Sequence, residues 1–288
     1  MLPSVLHQAP PARFQKLVQA VEQLAPPSLA EGWDNVGLLL DCLDETRWSE
    51  SSFKPRIFLC NDLTERVAEE AITKKVDCVV TYHPTPFAKF RTVTRTTHIG
   101  RVVLSMITNR IPVYATHTCL DCVNNGLNDW LINAFPNVGE ILPCNPLDAK
   151  RPNLGSGRVG SLPMAITIDD AVGHVKTLTG LKHVRRADPV DGSQKPIRRV
   201  AVCAGSGGSV FKDYMSKNPG SVPDLFLTGE MSHHDVLELN QNGAFVILTE
   251  HSNSERPFLP VFRERLLGLY PDAEVVISEI DADPLFVA

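Results

Sequence analysis

Short apolar runs alternate with polar, well-capped segments, and this alternation is what most restricts how the chain folds. The segments "RIFLCNDLT" and "VDCVVTYHP" each read as a buried strand. Between them, "TERVAEEAITKK" begins with a Thr64 cap and an acidic first turn and ends in lysines, as helices prefer. A strand, a helix and a strand at this spacing predict a βαβ unit and a partly parallel sheet.

The second half of the chain repeats the pattern. Helical segments separate three strand-like runs, which are "RRVAVCAGSGGS", "PDLFLTGEMSHHD" and "AFVILTEHSNSE". A middle region from about Asn128 to Ile197 lies between the two series. The sequence therefore predicts the α/β class with two similar halves that arose by duplication.

Side chains that can bind metals follow the strands in both halves. Functional residues of α/β sheets gather beyond the carboxyl ends of parallel strands, and carboxylates mixed with imidazoles suit Zn, Mn or Fe. A single histidine at such a place is usually an ordinary polar residue, and His98, His174 and His183 are interpreted in that way. The strand-end set consists of His83, His117, Asp121, Glu230, His233, His234, His251 and Glu255.

The segment "HSNSE" is the most specific of these strand ends. Ser252 or Asn253 can cap a helix there, which would leave His251 just outside the helix and Glu255 in its first turn. The structural alternative is plain capping, with Glu255 closing a capping box. The coincidence of four such strand ends favours the metal interpretation.

Two further motifs have both a functional and a structural interpretation. The "GSGG" after Ala204 could hold a phosphate at a helix N-terminus, but it lacks nucleotide-loop spacing, so an ordinary turn is preferred. Cys119 and Cys122 in "CLDC" have the spacing of a redox pair, and chance spacing is preferred there too. The odd number of cysteines, seven, indicates a reducing compartment.

Composition excludes several classes of function. The net charge of −5 argues against nucleic-acid binding through bulk charge, because phosphate neutralisation needs a basic surface. No apolar run approaches the roughly 20 residues of a membrane span, and no secretory signal is visible. We expect a cytoplasmic protein that does not bind membranes, with nuclear and mitochondrial locations left open.

Five motifs in a fixed order resemble one known family. They are "EGWDNVGLLLD", "TYHPTPF", "YATHTCLD", "LTGEMSHHD" and "HSNSERP". Together they look like the Nif-three-like family (NGG-one-interacting factor three), also named GTP cyclohydrolase I type 2 homologues, from about Phe14 to the C-terminus. The resemblance implies two interlinked, topologically similar α/β domains, a metal-pair site in the cleft between them, and homo-oligomers, often hexamers.

The resemblance also places four metal ligands on this sequence. The second His of the family's His-His-Pro motif falls on His83, and the carboxylate after Thr-His-Thr falls on Asp121. The late His and Glu fall on His251 and Glu255. Tyr82 stands where bacterial members have the first His, as in the eukaryotic branch. A phenol with a pKa near about 10 is a poorer ligand than imidazole, so one or two ions of Zn, Mn or Fe are expected per chain.

Additional residues are expected beside these ligands. His117 or His234 could replace the imidazole that Tyr82 has displaced. Trp33 of the "WDN" segment should pack near the site, with Asp34 or Asn35 hydrogen-bonded to a ligand. The alternative for this segment is a polar turn that closes over a buried tryptophan.

The expected ligand set determines the predicted domains and functions. His251 and Glu255 must meet His83 and Asp121, so we predict a discontinuous first domain of residues 1–127 and 244–288, and a second of residues 128–243. One function is a metal-dependent hydrolase that acts on a nucleotide-like small molecule. The alternative is a non-catalytic, metal-stabilised interaction or transcription-regulatory protein with protein partners.

Overall fold

Apolar runs of the sequence form the strands, and the capped polar segments between them form the helices. The structure is a computed structural model that describes residues 9–88, 91–192 and 194–288. The strands are β1 Gly37–Leu40, β2 Arg56–Cys60, β3 Cys78–Thr81, β4 Val113–Ala115, β5 Asn145–Pro146, β6 Gly155–Ser156, β7 Arg158–Ile166, β8 Arg185–Ala187, β9 Ile197–Ser206, β10 Leu225–Glu230, β11 Phe245–Leu248 and β12 Glu274–Ile277. The α-helices are α1 Ala12–Leu24, α2 Glu45–Ser49, α3 Glu65–Thr73, α4 His98–Thr108, α5 His117–Cys122, α6 Leu127–Ile132, α7 Ile168–Thr179, α8 Gly208–Lys217, α9 His233–Gln241 and α10 Leu259–Leu269.

The chain divides into two units, and each unit takes up segments from distant parts of the sequence. Of the described residues, unit 1 contains those from 9 to 27 together with Gly32–His117 and Pro260–Asp281. Unit 2 contains Ser28–Glu31, Thr118–Leu259 and Ala282–Ala288. The predicted class, α/β with two interlinked domains, is confirmed.

The sheet of unit 1 has the order β1-β4-β3-β2-β12. The strands β4, β3, β2 and β12 are parallel, and β1 runs antiparallel to β4. Fully buried Phe58 and Val79 of this sheet pack in one core with Ala71 of α3 and Met106 of α4. Thr64 caps the helix α3 with a hydroxyl that accepts the Val67 N–H, so the cap predicted from the sequence is present.

The sheet of unit 2 has the order β7-β9-β10-β11-β8. Its three central strands are parallel, and both edge strands are antiparallel to their neighbours. Phe226 and Val246 pack with Phe211 of α8 and Leu239 of α9. None of the helices in the described residues has both the length and the apolar character that a membrane crossing needs.

The two sheets share most of their topology. In unit 1, the antiparallel strand β1 precedes the parallel series β2, β3 and β4 in the chain and pairs with its last member. In unit 2, β8 has the same relation to β9, β10 and β11. The sheets differ at the other edge, where β12 is parallel to β2 and β7 is antiparallel to β9. This correspondence agrees with the duplication inferred from the sequence.

The division differs from the predicted boundary at residues 244–259. The sequence assigned this segment to the first domain, but β11 hydrogen-bonds to β10 on one side and to β8 on the other. It is therefore the last parallel strand of the second sheet, and His251 follows that sheet. Residues 118–127 also belong to unit 2.

A buried arginine anchors the short helix α6 in unit 2. Arg158 is 1% exposed, and its guanidinium makes a two-pronged ion pair with Asp129, with N–O distances of 2.7 and 3.1 Å. The same guanidinium donates to three backbone carbonyls, so its donors are used in hydrogen bonds. The neighbouring Asn128 accepts the Ala204 N–H at 2.8 Å and thereby fixes the end of β9.

We expect Asp129→Ala to lower the free energy of unfolding by about 3–5 kcal/mol, because it leaves a buried guanidinium without its counter-charge. The matched control is Asp213→Ala, which removes the exposed partner of Lys217 and should cost less than about 0.5 kcal/mol. Urea unfolding followed by circular dichroism measures both. Equal effects of the two substitutions would show that the Arg158 pair contributes no special stability.

Candidate metal centre

His83 is held at the carboxyl end of β3 by backbone and side-chain hydrogen bonds. Its N–H donates to the Asn61 carbonyl at 2.9 Å, which continues the pairing of β3 with β2 beyond the strand end. Its Nδ1 lies 2.8 Å from Oδ1 of Asp62. An ionised carboxylate only accepts hydrogen bonds, so Nδ1 is the donor and Nε2 is the nitrogen that a metal would take.

His117 has the same arrangement at the end of β4. Its Nδ1 lies 2.7 Å from Oδ1 of Asp34, and the Asp34 side chain is fully buried. Its N–H donates to the Tyr82 carbonyl at 3.0 Å. Its φ of 31° lies in the left-handed region, which is rare for a residue with a side chain and occurs at functional sites.

Aromatic rings surround the His117 imidazole. Edge-to-face contacts join it to Tyr82, His83, Trp33 and Phe87, with centroid distances of 5.6, 5.4, 5.8 and 5.9 Å. Tyr82 is 5% exposed, so the phenol of the Tyr-His-Pro segment lies inside this cluster. The "WDN" and "TYHPTPF" motifs are therefore neighbours around one imidazole, although some 50 residues of sequence separate them.

In unit 2, His251 follows β11 as His117 follows β4. Its Nδ1 lies 2.9 Å from Oε1 of Glu230, and its Nε2 lies 3.3 Å from Oε1 of Glu255. The hydrogen bond to Glu255, and then that to Glu230, raise the pKa of His251 to about 9. Two carboxylates thus place negative charge around this imidazole.

Glu255 lies between two short 3-10 turns, Ser252–Ser254 and Arg256–Phe258, and its side chain is only 2% exposed. The sequence placed Glu255 in the first turn of a helix capped by Ser252 or Asn253, but α10 begins only at Leu259. The Ser252 hydroxyl instead donates to Asp283. The two turns precede α10, so the helix starts later than predicted, and the Glu255 carboxylate lies beside His251.

Gly205 provides the space for these two side chains. A Cβ at Gly205 would come within 2.6 Å of Oε1 of Glu255 and 3.1 Å of Nε2 of His251. Its φ of +64° also favours glycine, and its N–H donates to the Ser254 hydroxyl at 2.7 Å. The "GSGG" segment therefore joins the end of β9 to the start of α8, and its first glycine makes room for a carboxylate and an imidazole.

Asp121 lies on the helix α5, because β4 ends at Ala115 and the chain turns helical at His117. Burial first, and then the negative charges of Asp121 and Glu255, raise the pKa of the Cys203 thiol well above its usual value. Both carboxylates are thus within electrostatic range of the same thiol at the end of β9. The backbone carbonyl of Asp121 accepts from Asn128, which also holds Ala204.

The cysteines lack the properties of a redox pair. Cys119 and Cys122 are fully buried thiols that are not joined in a disulfide. Burial raises the pKa of Cys122, whereas reactive thiols have a lowered pKa. Chance spacing is the interpretation these observations support, although the sequence interpretation put "CLDC" in a loop and it lies on α5.

Two histidines of the strand-end set are exposed and one important carboxylate was missed. His233 and His234 open the helix α9, and their rings are 5.5 Å apart. Asp62, the partner of His83, was absent from the sequence-based set. The signal for it was available, since Asp62 follows β2 as His83 follows the adjacent parallel strand β3.

Three of the proposed ligands, His83, His251 and Glu255, form a candidate metal-binding group in the structure. Two imidazoles and a buried carboxylate match the ligand preferences of Zn, Mn and Fe. The space left by Gly205 and the carboxylate partners of the imidazoles agree with such a group. Asp121 as a further ligand stays a prediction.

Comparison with known proteins gives concordant matches over most of the chain. The family described as Duf34/NIF3 (NGG1p interacting factor 3) matches residues 12–284. The chain is 38% identical over 280 residues to "Protein NIF3 homolog" of Schizosaccharomyces pombe, covering 94% of this chain and 96% of that protein. It is 32% identical over 274 residues to "GTP cyclohydrolase 1 type 2 homolog" of Clostridium perfringens, covering 94% and 98%.

A solved structure agrees with the fold. The hypothetical protein SA1388 of Staphylococcus aureus superposes with a TM-score of 0.78 over 97% of this chain and 100% of its own. Sequence identity to it is 23%, so this likeness concerns the fold alone.

We expect Gly205→Ala to weaken divalent-metal binding by about 10- to 100-fold, because the new methyl group displaces Glu255 and His251. The control is Gly180→Ala, which has a similar φ of +73° but open space around it. Both substitutions should cost about 1–2 kcal/mol of backbone strain. Equal metal content in the two purified variants, measured by plasma mass spectrometry, would contradict the assigned role of Gly205.

Proposed function

The chain belongs to the Duf34/NIF3 family, and on that basis we propose that it is a divalent-metal protein that hydrolyses a nucleotide-like small molecule. The main observation in support of this proposal is the histidine–carboxylate hydrogen bond, which occurs three times. His83, His117 and His251 each use Nδ1 for a carboxylate at 2.7–2.9 Å, the arrangement that orients metal-binding imidazoles and increases their basicity. The name of the Clostridium relative supports a nucleotide-like substrate.

The proposed primary site consists of His83, Asp121 and Glu255. One imidazole and two carboxylates are a suitable set for Mn, Fe or Zn. An ion held there would supply Lewis acidity, which polarises the reacting centre and lowers the pKa of water. Glu255 suits this role because its carboxylate is buried and lies beside the imidazole of His251.

A second, weaker position is proposed near His251. Tyr82 stands where an imidazole would complete that position, and a phenol must lose its proton to be a comparable ligand. Its burial at 5% exposure also disfavours the charged phenolate, unless a nearby cation offsets that cost. We therefore expect one tight ion and one weak ion per chain.

Proton transfer in this proposal is assigned to the His251–Glu230 pair. Glu230 lies at the end of β10, and its side chain is half exposed. Its Oε1 is 2.9 Å from Nδ1 of His251, so a proton can be held between them and exchanged with solvent. In this proposal the buried carboxylate of Glu255 binds the metal ion, and the exposed carboxylate of Glu230 exchanges the proton with solvent.

A turnover screen against nucleotides with added Mn, Zn or Fe tests the hydrolase. We expect metal-dependent product formation, and His83→Ala should lower kcat by about 100-fold or more. The control is His98→Ala, which alters an exposed histidine at the start of α4. Product formation can be followed by chromatography.

A screen in which no nucleotide is converted would favour the alternative, non-catalytic function. A wild-type protein that retains its metal, converts none of the nucleotides and still binds a protein partner would favour the metal-stabilised interaction protein. The family description as an NGG1p interacting factor supports that alternative.

A further inference from the structure

Two aromatic side chains of unit 1 are exposed beside the His117 imidazole. Trp33 is 63% exposed and Phe87 is 52% exposed. Their ring centroids are 6.1 Å apart and their planes meet at 64°, so the two rings form a corner. Each ring also contacts His117 edge to face. The polar turn over a buried tryptophan, which was the alternative for the "WDN" segment, does not form.

Hydrogen bonds on both sides of the corner hold it in position. Asp34, next to Trp33, is fixed to Nδ1 of His117. Asn35 donates through Nδ2 to the carbonyl of Pro86 at 2.7 Å, and Pro86 precedes Phe87. The segments that present the two rings are therefore tied to each other and to the histidine, so the corner exists before any ligand arrives.

This degree of aromatic exposure is unusual in the molecule. In the residues that the structure describes, the exposed large hydrophobic side chains include three aromatic ones, Trp33, Phe87 and Phe286. Two of the three are adjacent in space and lie on a candidate metal-site histidine. Exposing apolar rings costs free energy of hydration, so a pair at this place indicates a ligand.

We propose that the Trp33–Phe87 corner is a stacking subsite for a planar heterocyclic ring of the substrate. A ring stacked on the Trp33 indole would meet Phe87 edge on, and both geometries are favourable for aromatic pairs. The inference rests on the proposed function and specifies its substrate class, a molecule with a flat aromatic base. A ring bound there would carry its substituents next to His117 and His83.

The size of the corner favours a small molecule over a protein partner. Stable protein interfaces bury about 800 Å² on each side, with some 20–30 residues. The corner consists of two side chains, and both contact the imidazole of His117, which also contacts the buried Tyr82. A nucleobase needs no more than one or two such rings for stacking.

Titration with adenosine and guanosine tests the subsite, with ribose as the ring-free control. Trp33 is more exposed than Trp48 and Trp130, so its fluorescence reports stacking on it. Trp33→Leu should raise the dissociation constant, measured by calorimetry, about 5- to 150-fold. Trp33→Phe keeps a ring and should recover most of the affinity. Phe286→Leu, an exposed aromatic outside the corner, should bind like wild type.

Several results would overturn the subsite. The subsite is contradicted if wild-type protein binds neither nucleoside or binds ribose as tightly as a nucleoside. It is also contradicted if Trp33→Leu leaves the dissociation constant of the nucleosides unchanged, or if Trp33→Phe does not recover the affinity. Metal content is measured on the same samples, so the two proposals fail separately. Wild-type protein without metal that still binds nucleosides would contradict only the metal proposal, and metal-loaded protein that binds no nucleoside would contradict only the subsite.

Discussion

The hydrogen bond between a histidine Nδ1 and a carboxylate is the interaction on which the candidate site depends. It fixes the ring and the tautomer of His83, His117 and His251 through Asp62, Asp34 and Glu230. Nε2 is thereby left as the ligating nitrogen of His83 and His117, whereas Nε2 of His251 lies 3.3 Å from Oε1 of Glu255. Without these partners the rings could rotate about χ2, and the site would have to be organised by the metal at the cost of side-chain entropy.

The duplicated sheets explain why the interaction recurs. His117 follows β4, the last strand of the parallel series in unit 1, and His251 follows β11, the last strand of the series in unit 2. The backbone enters the left-handed region at both places, at His117 with φ 31° and at Glu250 with φ 69°. In each unit, therefore, a residue with positive φ lies just beyond the last parallel strand, and a histidine stands at that residue or next to it.

The sequence was sufficient for the parallel strands β2, β3, β4, β9, β10 and β11, for the helix cap at Thr64 and for the family, because these depend on local periodicity, on capping residues and on ordered motifs. It did not predict the short strands β5, β6 and β8. It did not reveal that residues 244–259 complete the second sheet, since strand pairing is a long-range property. Asp62 was missed because the segment "RIFLCNDLT" was interpreted as one strand, whereas β2 ends at Cys60 and Asp62 follows it. The late start of α10, at Leu259 and not before Glu255, is accompanied by contacts of Ser252 and Ser254 that no local signal shows.

The most direct test of the metal account is the metal content per chain after exhaustive dialysis, for wild type and Tyr82→His. The account predicts one firmly held divalent ion in wild type and a second in the variant, because the substitution returns an imidazole to the weak position. Wild-type protein that retains no ion, with no gain in Tyr82→His, would contradict the claim that these histidines and carboxylates form a metal site. Two firmly held ions in both proteins would contradict the role given to Tyr82.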